Sequence, residues 1–441
     1  MTDQQVLVIG AGIAGIQASI DLAQMGFQVY LVERTPSIGG RMAQLDKTFP
    51  TNDCAICILA PKMIECVGQE NVHLLTYSEV VHAQGRVGDF RVRVRRKPRY
   101  VDAERCTGCG ECVTKCPRRV PDEFNLGLNR RRAIYLPFPQ AVPRAMTIDP
   151  DTCLYLTKRE KDRCRLCEQV CQAGAIDWDQ AEQLVELEVG AIVLATGFDP
   201  YDVAPLKEYG FGSIPNVITG LHYERLVSAS GPTGGELLRP SDGKPPRRIA
   251  FIQCVGSRDV NHNPYCSSVC CMFATKEAIL AHEQDGDVRS AIFYTDLRAG
   301  GKRFQEFIAR AESEYQVTYI RGRPGSIAEN AANGNPVVRY EETTVRELRE
   351  MEVDLVVLCQ ALVPRRSQSE LAGILGIELD EHGFVRTPNR LCNPVDTTVP
   401  GIFACGYCQT PQDIPESVVQ ASGVAARVAE LLLEGSREPA H

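Results

Sequence analysis

Two periods of apolar spacing alternate along the first 35 residues of this chain. Residues 6–9 form an apolar run that ends in glycines, Ile13–Gly26 has apolar residues at helical spacing, and Gln28–Glu33 is strand-like again. A strand, a glycine turn, a helix and a second strand in this order are typical of the βαβ unit that opens a Rossmann-type domain with a parallel sheet.

The second half of the chain repeats this alternation after a linker at residues 228–246, which is rich in Gly, Ser and Pro. The pattern predicts helices at Cys270–Glu283, Arg303–Tyr315 and Glu416–Leu433. It predicts strands at Gly190–Phe198, Arg248–Gln253, Ser290–Thr295, Val317–Ile320, Val353–Cys359 and Gly401–Cys405. We therefore expect a second Rossmann-like series.

Residues 101–178 interrupt the alternation, because cysteines, prolines and arginines crowd there and long periodic segments vanish. An inserted domain is the simplest interpretation. The predicted division is a first Rossmann domain at 1–100, the insert at 101–178, more of the first domain with the linker at 179–245, a second Rossmann-like domain at 246–375, and a return to the first domain at 376–441.

Composition and charge narrow the class of protein. The 441 residues are 44% hydrophobic and 24% charged, as in ordinary globular proteins, and no run of 18 apolar residues predicts a membrane span. The net charge of −8 argues against nucleic-acid binding. Nineteen cysteines without a signal peptide are typical of metal or redox sites rather than of a secreted disulfide scaffold, so we expect a cytoplasmic protein.

Basic residues cluster twice, in Arg91–Arg99 and in Arg130–Arg132. The alternation in Phe90–Val94 favours a strand with one solvated face. We therefore interpret the basic clusters as solvated surface, and a docking patch for an acidic electron-transfer partner is the alternative.

The first glycine turn has a dinucleotide-binding pattern. Gly10, Gly12 and Gly15 form GxGxxG between a strand and a helix, and Glu33 ends the next strand. The glycines let the backbone approach a pyrophosphate, the helix N-terminus favours negative charge, and the glutamate accepts from a ribose hydroxyl. We expect a bound dinucleotide, with Arg34 also in contact; a tight turn without a ligand is the alternative.

Three later segments favour FAD over NAD. They resemble the second diphosphate contact, the ATG strand end and the late strand near the flavin ribityl chain in flavoproteins that bind two dinucleotides. Such proteins usually place an aspartate after the glycine of the late strand, whereas Tyr407 follows it here. We therefore expect the ribityl contact to be made otherwise. The three segments supply Gly39-Gly40-Arg41, Thr196-Gly197 and Gly406.

The insert has the cysteine spacing of a bacterial ferredoxin, with two cysteine sets. In the second set, ten residues separate the first two cysteines instead of two. Three thiolates of each set ligate one [4Fe–4S] cluster and the fourth reaches the other cluster; zinc sites or chance cysteines are the alternative. We predict one cluster on Cys106, Cys109, Cys112 and Cys171, and the other on Cys153, Cys164, Cys167 and Cys116.

A third group of cysteines lies where the second Rossmann unit should bind a nicotinamide dinucleotide. The strand at Arg248–Gln253 is followed by CVGSR rather than by GxGxxG, so we do not expect NAD(P)H to bind this unit. Four thiolates around the strand end and the next helix are suited to another [4Fe–4S] cluster. The predicted ligands are Cys254, Cys266, Cys270 and Cys271.

The chain resembles the A-type subunit of heterodisulfide reductase over nearly its whole length. The resemblance rests on residues 40–47, 52–62 and 411–420, the inserted ferredoxin and the third cysteine group. It implies an α/β fold: a thioredoxin-reductase-like two-Rossmann flavoprotein with an inserted bacterial-type 2[4Fe–4S] ferredoxin domain, FAD and three [4Fe–4S] clusters. It also places Lys276 near the flavin, as a candidate catalytic cation that stabilises the reduced ring; a solvated helix lysine is the alternative.

Family members carry an extra N-terminal domain and a C-terminal two-cluster module, so the chain looks like a short form that exchanges electrons through partner subunits. The expected partners are subunits of the B and C type, a ferredoxin, or a hydrogenase- or dehydrogenase-linked carrier, around a homodimeric core. The resemblance implies an electron-transfer oxidoreductase with flavin-based bifurcation or confurcation, and simple relay is the alternative.

Two other functions stay open. The first is a self-contained flavin-dependent disulfide reductase that uses Cys54 and Cys57, which could equally ligate metal or only pack. The second is an assembly scaffold without catalysis. Cys359 is predicted as a small core residue, and no role is predicted for Cys405 and Cys408.

Overall fold

The computed structural model describes residues 4–157 and 164–435. The helices are α1 (Ile13–Gln24), α2 (Ala55–Gly68), α3 (Glu111–Lys115), α4 (Leu166–Gln169), α5 (Gly220–Val227), α6 (Cys270–Gln284), α7 (Phe304–Tyr315), α8 (Gln368–Leu375) and α9 (Ile414–Gly435). The strands up to residue 200 are β1 (Gln5–Ile9), β2 (Gln28–Glu33), β3 (Val72–Thr76), β4 (Ser78–Arg86), β5 (Asp89–Arg96), β6 (Arg119–Pro121), β7 (Arg130–Arg132), β8 (Ile134–Tyr135), β9 (Thr147–Ile148), β10 (Gln183–Val189), β11 (Ala191–Leu194) and β12 (Phe198–Pro200). The later strands are β13 (Val217–Thr219), β14 (Arg248–Val255), β15 (Arg289–Tyr294), β16 (Thr318–Arg321), β17 (Pro324–Glu329), β18 (Pro336–Glu342), β19 (Glu347–Glu352), β20 (Leu355–Gln360), β21 (Leu362–Pro364) and β22 (Ile402–Ala404).

The chain divides into two compact units. Unit 1 comprises residues 1–43, 58–198 and 364–441, and unit 2 comprises residues 44–57 and 199–363. The chain therefore leaves unit 1 twice and returns to it twice. The division into five domain segments stays a prediction.

Unit 1 is built on a five-stranded parallel sheet in the order β22, β11, β1, β2, β3. Strand β1 pairs with both β2 and β11, so the turns after these strands lie along one edge of the sheet. Val6, Leu7 and Val8 are fully buried, as expected for a strand covered on both faces. Ligands of such sheets bind beyond the carboxyl ends of the strands.

The basic stretch Arg91–Arg99 lies mostly on the solvated face of an antiparallel sheet of β4, β5 and β10 in unit 1. On β5, Arg91, Arg93 and Arg95 alternate with buried valines and face acidic residues on the neighbouring strands. The nearest pairs are Arg93 with Glu186 at 2.6 Å and Arg95 with Glu79 at 2.6 Å. Because these arginines are already paired, the solvated-face interpretation is favoured over the docking patch.

The ends of the insert lie side by side in unit 1, as an insertion requires. Val101 bridges to Ile176, the Asp102 N–H donates to the Ala175 carbonyl at 2.7 Å, and the Asp177 N–H donates to the Tyr100 carbonyl at 3.1 Å. Between these ends the insert has two short hairpins, β6–β7 and β8–β9, and its own apolar core, in which the cysteines are packed with Trp178. Residues 158–163, inside the long interval of the second cysteine set, lie outside the described residues.

Unit 2 has a five-stranded parallel sheet in the order β13, β20, β14, β15, β16, with α6 following β14 and α7 following β15. An antiparallel sheet of β17, β18 and β19 follows, which the sequence pattern did not predict. Within the described ranges, no helix has both the length and the apolar character needed to cross a bilayer.

Candidate functional site

The glycine turn after β1 is built on close backbone contacts. A Cβ on Gly15 would lie 1.8 Å from the Gly10 carbonyl oxygen, and a Cβ on Gly10 would lie 2.5 Å from the Ala195 carbonyl oxygen. The Gly10 N–H donates to the Val32 carbonyl at 2.8 Å, which ties the turn to β2. Only glycine fits these positions, so the first N–H groups of α1 stay open to a phosphate group.

The Glu33 carboxylate is held at the end of β2. One oxygen accepts the Ala11 N–H at 2.9 Å, and the other accepts the N–H and the hydroxyl of Thr35, each at 2.9 Å. A carboxylate offers about four acceptor positions. Because three are used here, Glu33 is oriented and still has capacity for a ribose hydroxyl.

The second diphosphate segment comes within contact distance of the glycine turn. A Cβ on Gly40 would lie 2.8 Å from the Gly12 Cα, and Gly40 has a φ of +59°. The Gly39 N–H donates to the Ala11 carbonyl at 2.8 Å. Gly40 and Gly12 therefore form a cradle that any side chain would fill. Arg41 follows in a 3-10 turn, Gly40–Gln44.

The other predicted FAD contacts in unit 1 lie at the ends of β11, β22 and β2. Thr196 donates from its hydroxyl to the Gln368 side chain at 3.0 Å, and Gly197 and Gly406 have φ of +73° and +75°. The Gly406 N–H donates to the Gln420 side chain at 2.7 Å. Arg34 is exposed and donates to the Ser367 hydroxyl at 3.3 Å.

Tyr407, which replaces the usual aspartate, is a buried packing residue. Its ring lies 4.7 Å from that of Phe198 and 6.2 Å from that of Phe384. An aromatic side chain packed in this way supplies apolar area rather than a carboxylate. At this strand end, an apolar packing residue therefore takes the place of the carboxylate in the usual flavoprotein pattern.

The first predicted ligand set of the insert is gathered around Cys112 at the start of α3. Burial, followed by the charges of Cys106, Cys109 and Cys171, raises the pKa of the Cys112 thiol to about 12. Those three neighbours are the three partners predicted for it, including Cys171 from the second cysteine set. Within this ligand set, Cys112 is buried and Cys109 is exposed to solvent.

The second predicted set surrounds Cys167 on α4. Burial raises the pKa of the Cys167 thiol to about 12, followed by the charges of Cys153, of Cys112 from the first set, and of Cys116. Burial also raises the pKa of Cys153, with smaller contributions from Cys116 and Cys164. Cys153, the ligand with the irregular spacing, therefore lies with its predicted partners. Cys116 is close to the second set although it belongs to the first in sequence.

The third cysteine group lies in unit 2, at the end of β14 and the start of α6. Burial raises the pKa of the Cys270 thiol well above its usual range, followed by the charges of Cys254, Cys271 and Cys266. Cys254, Cys270 and Cys271 are all buried. The chain between β14 and α6 spans residues 256–269, too long for the tight glycine turn of a nucleotide site.

N–H donors surround the sulfur atoms of the third group. The Arg298 N–H donates to the Cys271 Sγ at 3.5 Å, and the Ser268 N–H donates to the Cys266 Sγ at 3.4 Å. The Arg258 guanidinium donates to the Cys254 Sγ at 4.0 Å. Donors of this kind stabilise negative charge on cluster sulfurs and set reduction potentials.

The three sets have the donor chemistry of iron–sulfur clusters. Four thiolates and no imidazole suit a [4Fe–4S] cube, in which four irons and four sulfides hold the thiolates apart. In the described ranges, no three His, Cys, Asp or Glu side chains converge as they would around a single ion.

Lys276 is 1% exposed, so the solvated-helix interpretation is wrong. Its ammonium group forms an ion pair with Glu224 and donates to the Lys47 carbonyl at 2.9 Å, all within unit 2. The sequence pattern missed Glu224 and Glu277, which is fully buried beside Lys276. The sequence signal that could have revealed a buried charged group was the pair Lys276-Glu277 in a predicted helix. In the structure, residues Ala274–Ala281 of this helix are all buried.

Cys54 and Cys57 are joined by a disulfide that spans the first residues of α2. Cys54 also forms a β-bridge with Lys47, whose carbonyl accepts from Lys276. A disulfide excludes the metal-ligating interpretation while it is formed. Cys359, Cys405 and Cys408 are fully buried, as predicted for Cys359.

Comparisons with known proteins bear on the class of cofactors and on the fold. A family model of FAD-dependent oxidoreductases matches residues 5–97, and a model of 4Fe-4S binding domains matches residues 99–122. Both support FAD and iron–sulfur binding. Thioredoxin reductases of Lactococcus lactis and T. acidophilum share the fold, with TM-scores of 0.53 and 0.52, identities of 16% and 14%, and coverage of 98% and 99% of this chain and 99% and 100% of theirs. The predicted fold class is confirmed.

The curated relatives are much more similar in sequence. An iron–sulfur A-type component of the CoB–CoM heterodisulfide reductase of Methanopyrus kandleri is 53% identical over 436 residues. The A-type component of the H2:CoB-CoM heterodisulfide,ferredoxin reductase of Methanothermobacter marburgensis is 47% identical over 437 residues. Each alignment covers 99% of this chain and 65% of the relative, so the chain spans slightly less than two thirds of their length. The chain belongs to the family of A-type heterodisulfide reductase subunits.

Proposed function

We propose that this chain is an electron-transfer oxidoreductase that holds FAD and three [4Fe–4S] clusters within a heterodisulfide-reductase-like complex. The observation that carries the proposal is the clustering of eight cysteines in the insert and four in unit 2, which we assign to three sets of four. When bound, FAD supplies the exchange between two-electron and one-electron carriers.

The protein residues perform separate tasks in this proposal. The Gly10–Gly15 turn and the Gly40 cradle bind the diphosphate, Glu33 orients the ribose, and the cysteine sets hold the clusters. The donors around Cys254 and Cys271 stabilise an added electron in unit 2. The buried Lys276 is the proposed catalytic cation for negative charge on the reduced flavin ring.

The relatives' names extend the proposal to partners. They describe one component of larger reductases that act on the CoB–CoM heterodisulfide, and one name includes ferredoxin. We infer that this chain exchanges electrons with subunits of the B and C type and with ferredoxin or a hydrogenase- or dehydrogenase-linked carrier, around a homodimeric core. Bifurcation or confurcation at the flavin is the proposed mode, and one-electron relay is the alternative.

Purification from the native source, with measurement of iron, flavin and co-purifying subunits, tests the proposal. We expect one FAD and about twelve irons per chain, since each cube holds about four, together with partner subunits. An iron content near eight would mean that the unit 2 cluster is absent. A content near four would contradict the three-cluster proposal.

A self-contained disulfide reductase is the second candidate, favoured by the Cys54–Cys57 disulfide and its bridge to Lys47. Two electrons and two protons from reduced flavin would convert the disulfide into two thiols. Anaerobic thiol titration before and after flavin reduction measures this step. Under the electron-transfer proposal, the variant Cys54→Ser/Cys57→Ser passes electrons to the clusters as fast as the unchanged protein; a loss of at least about tenfold would favour the disulfide reductase.

A further inference from the structure

A buried group of charged side chains lies in unit 2, between α5, α6 and the segment at residues 44–57. Lys276, Glu224 and Glu277 are each at most 2% exposed. One Glu224 oxygen pairs with Lys276, and the other accepts the Asp46 N–H at 2.9 Å. Both Glu224 oxygens therefore have a partner, and Lys276 compensates the charge of Glu224.

Glu277 has no such compensation. Within the described part of the chain, neither of its carboxylate oxygens makes a hydrogen bond of ordinary geometry, although Glu224 is close enough to share a proton with it. Its ionisable neighbours are Glu224 and Tyr223 on α5, Lys276 on α6 and Cys359 on β20. Burial first, and then the charge of Glu224, raise the pKa of Glu277 well above its usual range, while Lys276 opposes this.

The charge balance of the group points the same way. Lys276 and the fully buried Arg225 supply two positive charges, and Asp46 and Glu224 supply two negative ones. Lys47, which also lies near Asp46, is paired with Glu283 at 3.4 Å. A charge on Glu277 would therefore be unbalanced in a place from which water is excluded. Buried carboxyl groups in this position keep a proton.

Glu277 is also close to the third cysteine group. Burial and then Glu277 raise the pKa of Cys359, followed by Cys270, Cys254 and Cys271, so Cys359 is within electrostatic range of both. Along α6, Glu277 follows Cys270 by two turns, or about 10 Å. Two unit charges at this distance in a protein shift each other's proton affinity roughly tenfold.

We propose that proton binding at Glu277 is coupled to the electron received by the third cysteine group. The inference rests on the proposed function, because it requires a cluster on Cys254, Cys266, Cys270 and Cys271. One electron arrives from reduced flavin or a reduced ferredoxin-type cluster and raises the proton affinity of Glu277. At a pH near the pKa of Glu277, the ionised fraction of its carboxylate then takes up a proton from water. Each proton bound in this way offsets the added charge, and oxidation releases it to water.

The test is an EPR-monitored redox titration of the unit 2 cluster in the complete protein at several pH values between about 6 and 10, a range that brackets a raised carboxyl pKa. In the unchanged protein we expect the midpoint potential to fall as pH rises. Glu277→Gln mimics the protonated carboxyl in size and charge, so its potential should be independent of pH. Glu283→Gln, an exposed position on the same helix, should keep the full slope.

Each outcome separates the inference from the proposed function. A cluster present in all variants with equal slopes, or with no slope in the unchanged protein, overturns the coupling and leaves the proposed function standing. A protein with about eight irons and no unit 2 signal overturns both.

Thermal unfolding supplies a readout that needs no redox titration. A carboxyl that is protonated when folded and ionised when unfolded lowers stability as pH rises above its unfolded value of 4.5, until the folded pKa is reached. The unfolding midpoint of the unchanged protein should therefore fall more steeply with rising pH than that of Glu277→Gln. If the unfolding midpoints of the two proteins had the same pH dependence, Glu277 would not be protonated in the folded protein.

Discussion

Replacing Cys270 by alanine is expected to remove one [4Fe–4S] cluster, and with it about four of the twelve irons per chain. Cys270 is 6% exposed, and its thiol has the other three cysteines of its group as electrostatic neighbours. An alanine at this position removes the fourth thiolate and leaves three cysteines of the set. Iron analysis and EPR of the reduced protein measure the loss, and the signals of the two insert clusters should remain.

Cys359→Ala is the matched control for this variant. Cys359 is fully buried and lies within electrostatic range of Cys270, but it is not a predicted ligand. It should keep all twelve or so irons. If Cys270→Ala keeps its iron as well, or if Cys359→Ala loses as much, the assignment of the third ligand set is wrong.

The parallel sheets could be predicted from the sequence because their strands are continuous apolar runs. Gln28–Glu33 was predicted to the residue, and the strand at Arg248–Gln253 extends by two residues to Val255. The antiparallel strands β17 to β19 were missed because β17 begins with Pro324 and Gly325, and because β18 and β19 carry three and four charged residues. Helix α2 was missed because Pro61 and a cysteine pair obscure its period.

The candidate sites, like the strands, could be predicted only where the signal is local in the sequence. Cysteine spacing predicts the twelve proposed ligands, because most ligands of a ferredoxin-type cluster lie close together along the chain. The partners of Lys276 could not be found in this way, since Glu224 is separated from it by 52 positions and meets it only in the folded unit. Buried ion pairs depend on tertiary packing, which leaves no local period.

Gly40→Ala is expected to reduce the FAD content of the purified protein at least about tenfold, equivalent to about 1.4 kcal/mol of binding free energy. The new Cβ would lie 2.8 Å from the Gly12 Cα, a distance that backbone atoms cannot tolerate. Gly12 must therefore move, and with it the N–H groups at the start of α1 that face the phosphates. Flavin absorbance per chain measures the result.

Gly26→Ala is the control that separates this contact from backbone strain. Gly26 has a φ of +92°, against +59° for Gly40, yet a Cβ on Gly26 would have no atom within 4 Å in the described part of the chain. It carries at least the same penalty of about 1–2 kcal/mol for a left-handed alanine, but leaves the glycine turn in place. Equal FAD content in the two variants would contradict the proposed Gly12–Gly40 cradle. Loss of FAD in Gly40→Ala alone would show that the close approach of the two backbones, and not strain at a left-handed residue, creates the space for the diphosphate.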